Sequence, residues 1–463
     1  MKRVSVRANK IHLTSLGCAR NLVDSEVMLG ILLKAGYQPT SELEDADFLI
    51  VNTCGFLQEA RKESCDTIDA LLKSRKQGAK VIVAGCMVQK YGPEIRSRFP
   101  DVHYFLGSGD MEKILDAVGT PEAGEAITSA RSYLEWGEIP RQVSTPGPFA
   151  YLKIAEGCMK RCAFCIIPNI KGPLKSKSID QVVKEFNALL AQGVHEVILI
   201  AQDLGDYGKD WGKDRKEKDG LAKLLRALLA NDKKFWLRLL YLYPDEITPE
   251  IMDIIESDRR ICRYFDMPIQ HISQPILKSM RRLTSRQQII DMINMLRQRF
   301  PDIVLRTSLM VGFPGETEEQ FQELVEFVKN YPLDNVGVFK YSLEEESHSA
   351  KLPGHIPEEE KQRRFEILTQ VQREVLKERL RRYVGQTLEV IVEGYHPDSP
   401  YLMRGRFFGQ CPEIDGIVII NDGRLVKSFG KLYTVEITDT TDYDLIGAVT
   451  GRVSKNKLCL ASS

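Results

Sequence analysis

Three cysteines stand within eight residues of one another, Cys158-x3-Cys162-x2-Cys165, in the stretch AEGCMKRCAFCIIP. Thiols this close can fold around one metal centre. The usual zinc pattern pairs a CxxC with a second, distant pair, and this one does not. Three thiolates can instead hold a 4Fe–4S cluster by three irons and leave the fourth open to a small molecule. The competing readings are a chance zinc loop or three unrelated thiols. A second group is dispersed. Cys18 ends IHLTSLGC, Cys54 ends DFLIVNTC and Cys86 ends KVIVAGC, at spacings of 36 and 32 residues. Each spacing is about one βα unit, so each cysteine closes a parallel strand at its C-terminal end, where open α/β sheets bind ligands. Gly17, Gly55 and Gly85 beside them would let backbone approach an inorganic group closely. The competing reading here is three small buried hydrophobes. Cys65, Cys262, Cys411 and Cys459 are isolated and read as core residues.

The elements that must position these thiols are legible in the apolar patterning. Strands at 11–17, 47–53 and 80–85 alternate with helical stretches, a βαβαβ pattern whose all-apolar strands predict a doubly wound parallel sheet over residues 10–120. Residues 121–147 lose the periodicity and read as a linker. Further strands are expected at 150–157, 196–202, 235–241, 264–270, 304–312 and 335–342. Helices lie between them, one opened by a Thr317/Gln320 capping box. Six βα units predict an open or closed α/β barrel, and CxxxCxxC begins where its first strand ends, on the face where such barrels do chemistry. Residues 357–383 read as one long amphipathic helix. The remaining short strands, to about residue 452, predict a small all-β barrel or sandwich.

Composition narrows the partners. With 64 basic and 64 acidic residues the formal net charge is zero, which argues against coating nucleic acid through bulk charge. No run of ~18 apolar residues predicts a membrane span. Residues 1–10 carry four basic and no acidic side chains and read as a solvated tail rather than an export signal. The expected compartment is therefore reducing and cytoplasmic, and the ten cysteines are thiols or metal ligands rather than disulfides.

The CxxxCxxC loop, with Phe164 before its last cysteine, resembles the signature of the radical S-adenosylmethionine enzymes. Two triads of thiols followed by a small β domain resemble more narrowly the methylthiotransferases among them. The stretches SLGCARNLVDSE, VNTCGF, YLKIAEGC, AQDLGDYG, MPIQHIS and VGFPGETEE are similar to the branch that modifies an aspartate of a ribosomal protein. The sister branch acts on an adenosine of transfer RNA. The resemblance implies three domains: a cluster domain (10–120), a partial (β/α)6 barrel with its trailing helix (148–383) and a TRAM domain (384–452). It implies two 4Fe–4S clusters, one on Cys158, Cys162 and Cys165 and one on Cys18, Cys54 and Cys86. It also implies S-adenosylmethionine, cleaved by one electron to a 5′-deoxyadenosyl radical. Protein side chains cannot do that chemistry. Ala19 and Lys171 stand where the family often has Pro and Arg, and neither is expected to touch a cluster ligand.

Such a cofactor needs polar groups at the barrel mouth. Gln202 and Asp203 end the second barrel strand, Gln270 and His271 the fourth, and Arg306 lies on the fifth. Gln202 and Arg306 are the expected cofactor contacts, Arg306 toward the methionine carboxylate. Gly312 and Phe313 are expected to shape the adenine pocket. No general base is expected, because radical abstraction removes a hydrogen atom and not a proton. Residues 388–450 carry ten acidic against five basic side chains. That balance suits a basic ribosomal protein better than transfer RNA. An electron donor is the other partner implied, and the non-enzymatic alternative is an iron–sulfur electron carrier. The C-terminal module is expected to be separable near Gly385 without loss to the rest.

Overall fold

The computed structural model describes residues 9–128, 134, 140–211 and 219–453. Most of the basic start, part of the expected linker, and Cys459 fall outside them. The N-terminal sheet contains β1 (Lys10–Ser15), β2 (Gln38–Pro39), β3 (Phe48–Thr53), β4 (Lys80–Gly85), β5 (Tyr104–Gly107) and β6 (Gly124–Ala126). All are parallel, in the order β2-β1-β3-β4-β5-β6. The central β3 is buried at all six residues. Its alternate residues divide between two cores: Phe48 and Ile50 pack with the helix Ala19–Lys34, Leu49 and Val51 with Gln58–Ser74 and Cys86–Arg98. This is the two-sided cover its apolar run requires. The patterning did not reveal β2, β5 and β6. They are two, four and three residues long, and β6 adds an edge to the sheet from inside the stretch read as linker.

The second sheet comprises β7 (Phe149–Lys153), β10 (Glu196–Ile200), β11 (Trp236–Leu239), β12 (Ile261–Asp266), β13 (Val304–Val311) and β14 (Asn335–Lys340), all parallel and open at both edges. A short antiparallel pair, β8 (Ala155–Glu156) and β9 (Lys175–Ser176), frames the cysteine loop. This is a six-stranded partial barrel. One face of its strands, with Leu152, Leu199, Leu237 and Leu305, packs under the surrounding helices. The expected Thr317/Gln320 capping box is present, and Ser178/Gln181 and Ser285/Gln288 form two more. The long helix runs from Glu358 to Arg381.

The C-terminal strands β15 (Thr387–His396), β16 (Ser399–Phe407), β17 (Val418–Asp422), β18 (Lys431–Thr440) and β19 (Leu445–Arg452) close into a barrel, β15-β16-β17-β19-β18. This barrel does not stand apart. Its Val390, Ile420 and Tyr433 share one core with Tyr151, Ile200 and Tyr264 on the other face of the central sheet. Glu196, fully buried, pairs with Arg238 at 2.6 Å and with Arg406 of the C-terminal barrel at 2.8 Å. Tyr151 and Tyr264 donate hydrogen bonds to Glu413 (3.1 Å) and Asp415 (2.7 Å). The expectation of a removable module is therefore corrected. Truncation near Gly385 would strip one face of the central sheet and leave Glu196 and Arg238 without Arg406, and breaking a buried ion pair costs roughly 3–5 kcal/mol.

Candidate active site: two thiol triads at a domain seam

Because β1, β3 and β4 are adjacent, Cys18, Cys54 and Cys86 emerge side by side at their C-terminal ends. Glycine makes the convergence possible, for a reason the sequence did not suggest. A Cβ on Gly17 (φ 89°) would lie 2.8 Å from Cys54 Cβ, and one on Gly55 would lie 2.8 Å from the Met87 backbone. Gly85 (φ 105°) has Asn52 and Thr53 where its Cβ would go. The small residues let the three loops pack on one another. Cys18 is solvent-accessible.

Two cations bear on this triad. Burial alone would raise the Cys18 thiol, but Arg20, the Asn21 N–H and Lys171 hold it below its ordinary value. Cys86, more deeply buried, is pushed up to about 12 despite Lys171. Lys171 belongs to the partial barrel, and its charge acts on Cys18, Cys54 and Cys86 alike. The short helix Ile167–Lys171 carries this lysine to the domain seam, where it pairs with Asp24 of the N-terminal domain at 3.4 Å. Arg20 donates to the Ala201 carbonyl at 2.8 Å and stacks over Tyr241. Its charge reaches Cys18 and Cys86 on one side and Cys165 on the other. Arg20, two residues after Cys18, thus ties the N-terminal sheet to the barrel.

The barrel triad is built by a single loop. The Lys160 and Ile167 N–H groups donate to the Cys158 and Cys165 sulfurs, and Arg282 Nη1 donates to Cys162, all at 3.4 Å. Burial pushes Cys158 up to about 11 and Cys165 to about 12. Among the described residues, neither triad brings its three sulfurs within 4.8 Å of one another. A tetrahedral zinc with 2.3 Å bonds would hold them about 3.8 Å apart. Each donor set is three free thiols, the donor chemistry of a thiolate-held iron–sulfur cluster. Asp203, Asp206 and Glu246 do bring one oxygen each within 4.8 Å of one another. However, Lys160 (2.7 Å from Glu246) and Lys209 (2.9 Å from Asp206) already neutralise them.

The expected cofactor contacts divide. Gln202 donates to Glu156 at 2.9 Å, while its Oε1 is buried with no donor from the protein, as is Oδ2 of Asp206. Buried acceptors want donors, and a ligand with ammonium and hydroxyl groups would supply them. Asp203, raised by burial and by Asp206 to about 7, pairs with Lys160 at 3.3 Å. His271 is fully buried, accepts from the Ser273 N–H and lies 3.7 Å from Glu316. Gln270, at φ 71°, ties its backbone to β13. Gly312 and Phe313 both donate their N–H to Glu316, and the Phe313 ring is buried against Tyr341. Arg306 is held by Asp266 at 2.7 Å and lies 3.7 Å from Asp415 of the C-terminal barrel. It lines a cleft of about 250 Å³ between β14, the long helix and that barrel. The residues that sequence reasoning missed are Arg20, Glu156, Lys160 and Arg282. Arg20 and Lys160 each stand two residues from a singled-out cysteine; Arg282 has no local signal.

Three family models match in series: "Uncharacterized protein family UPF0004" at residues 10–107, the radical SAM superfamily at 152–328 and the TRAM domain at 384–450. Among curated relatives, the "Ribosomal protein uS12 methylthiotransferase RimO" of Protochlamydia amoebophila is 60% identical over 95% of this chain and 92% of its own. Those of Chlamydia pneumoniae and Bdellovibrio bacteriovorus are 51% and 44% identical, covering 99% and 97% of this chain and 97% and 99% of theirs. The chain belongs to the RimO methylthiotransferase family. The radical S-adenosylmethionine methyltransferase TsrM of Kitasatospora setae, solved with tryptophan and an analogue of its cofactor, shares the fold. It has a TM-score of 0.53 at 16% identity, covering 73% of each chain. No described helix is long and apolar enough to cross a membrane.

Proposed function

We propose that this protein inserts a methylthio group at the β-carbon of an aspartate in ribosomal protein uS12, using S-adenosylmethionine and two 4Fe–4S clusters. The observation that carries the reading is the placement of two three-thiol sets, one at the ends of β1, β3 and β4 and one in the loop after β7, in domains joined by the Arg20 bond to Ala201 and by the Lys153–Asp24 pair. Bound at Cys158, Cys162 and Cys165, a cluster with an open iron would supply the electron that cleaves S-adenosylmethionine, and one at Cys18, Cys54 and Cys86 would carry the sulfur. The chain's own side chains bind and orient. Gln202 and Asp206 offer buried acceptors to the cofactor, and Arg282 fixes the Cys162 sulfur. Glu316 braces the Gly312–Phe313 turn that walls the pocket. Arg306 is oriented by Asp266 through Nη1 and keeps further N–H donors for the methionine carboxylate. We keep domain limits of 10–120, 148–383 and 384–452, with β6 carrying the first sheet past residue 120, a reduced electron donor as partner and the cytoplasm as compartment.

The substrate contact belongs to the exposed acids of the C-terminal barrel, Asp398, Glu436 and Asp439. Glu393 and Asp415 are used internally. The test is anaerobic incubation of the reduced, reconstituted enzyme with S-adenosylmethionine and either a uS12 peptide or transfer RNA. Mass spectrometry should find one methylthio group on the peptide aspartate. Modification of the transfer RNA alone would overturn the substrate, and absence of 5′-deoxyadenosine would overturn the chemistry.

A further inference from the structure

The inner face of the central sheet is covered along most of its width. β7, β10, β11 and β12 put Tyr151, Ile200, Trp236 and Tyr264 into the core shared with the C-terminal barrel. The last two strands differ. Val304 of β13 still belongs to that core, but Arg306, Ser308 and Met310, which follow on the same side, are only partly buried. On β14, Gly337 lies opposite Ser308 and Phe339 opposite Met310. Phe339 is 49% exposed although it lies within the strand. The other side of β14, with Val336 and Val338, packs against the helices. Gly337 makes room for the ring: a Cβ there would lie 3.1 Å from the Phe339 ring and 3.6 Å from Arg306 Nη2. The ring thus lies back along its own strand toward the guanidinium, and half its surface stays open.

A lone exposed apolar side chain on an outer surface is ordinary. This one stands on the inner face, in the row of Met310, between the Gly312–Phe313 turn and Arg306. Those two groups are assigned above to the adenine and the methionine carboxylate. β7, which leads into the cysteine loop, and β14 are opposite edges of the sheet. A cofactor reaching from that loop to β13 leaves β14 as the side from which a second molecule arrives. The cleft of about 250 Å³ joins Arg306 and Gly337 to Ile414, Asp415 and Tyr443 of the C-terminal barrel. An occupant that touches both the ring and that barrel must be extended, as a loop of the target protein is and a small metabolite is not. We infer that Phe339 is a substrate-binding residue, its ring packing against the segment of ribosomal protein that carries the aspartate and holding the β-carbon toward the cofactor. The inference rests on the substrate reading above. The ring has no donor or acceptor in its plane, so it contributes apolar area and shape.

The test uses the anaerobically reconstituted holoenzyme, S-adenosylmethionine and a uS12 peptide that contains the aspartate. Phe339→Ala should raise the KM for the peptide at least about tenfold, as loss of a central aromatic contact commonly does. Phe339→Tyr keeps the ring and should stay within about threefold of the wild type. Both should keep full iron, the wild-type unfolding temperature, the wild-type KM for S-adenosylmethionine and the same 5′-deoxyadenosine formation without peptide. With peptide present, Phe339→Ala should release more 5′-deoxyadenosine per methylthiolated product, because a loosely held target lets the radical go unused. An unchanged peptide KM in Phe339→Ala overturns the inference. So does a raised KM for S-adenosylmethionine, since the ring would then wall the cofactor, and so does lost iron or a lowered unfolding temperature, since it would then serve the fold. If the wild type leaves the peptide unmodified, the inference fails together with the substrate reading, whereas an unchanged KM confined to the variant leaves that reading standing.

Discussion

The two thiol triads reach comparable positions by opposite routes. Cys158, Cys162 and Cys165 lie in one loop, and two of their sulfurs accept N–H groups from within it. Cys18, Cys54 and Cys86 are brought together only by the order of β1, β3 and β4. They also depend on the glycines that let their loops touch. A local motif carries its geometry in its spacing; a convergent one borrows it from the tertiary structure and is more easily broken from a distance.

The largest effect separates the triads outright. Replacing Cys158, Cys162 and Cys165 with Ala should abolish 5′-deoxyadenosine formation and remove about half of roughly eight irons, as expected for one of two four-iron clusters. The same change at Cys18, Cys54 and Cys86 should also remove about half, yet leave 5′-deoxyadenosine measurable. Iron analysis and product chromatography on the two variants decide this. A second triple variant that kept all its iron would sink the convergent site.

Next in size is damage done at a distance. Glu196→Gln leaves Arg238 and Arg406 buried without their shared carboxylate and should destabilise the fold by about 3–5 kcal/mol in denaturant titration. The two guanidiniums hold Glu196 below the usual carboxylate range. Its contribution is therefore present at neutral pH and lost as the pH falls through its depressed value, and the variant should show less acid sensitivity than the wild type. A finer cut is Gly85→Ala. Its φ of 105° with ψ of −160° is a conformation essentially only glycine adopts and costs about 1–3 kcal/mol for an L side chain, before the contact with Asn52 is counted. Iron should be lost from the dispersed triad while cofactor cleavage persists; loss of cleavage first would refute the contrast. The smallest effect tests the local loop. Arg282→Gln removes a charged donor from Cys162, and the potential of the barrel cluster should fall by on the order of 50 mV, about one decade for a one-electron couple. An unmoved potential in a redox titration would remove Arg282 from the site.

The local motif was legible because cysteine spacing alone defines it. The dispersed triad was also legible, since apolar runs mark the strands and each ends on the same residue type. What escaped is what depends on contact between separate elements. Arg20, Arg282 and the reach of Lys171 carry no periodic signal, and the strands β2, β5 and β6 are too short to show one. Gly312 and Phe313 read as pocket-shaping residues, yet their N–H groups are spent on Glu316, a partner no pattern announces. The acidic count over 388–450 likewise overstated the charge available to a partner, because Glu393 and Asp415 face inward. Arg306 was placed correctly on β13, but its carboxylates come from β12 and from the C-terminal barrel.

The shared core between the central sheet and the C-terminal barrel bears on biosynthesis. Domains made first on the ribosome generally fold first. Here Tyr151, Ile200, Tyr264 and Glu196 are translated long before Val390, Arg406, Ile420 and Tyr433, which cover them. Until the last strands emerge, one face of the partial barrel stays wet and Glu196 has only Arg238 as a guanidinium partner. The nascent chain therefore passes through a stage in which both thiol triads have been synthesised while the sheet beneath them is still uncovered. Completion of the C-terminal barrel ends that stage, so the finished enzyme is sealed by the part of the sequence made last.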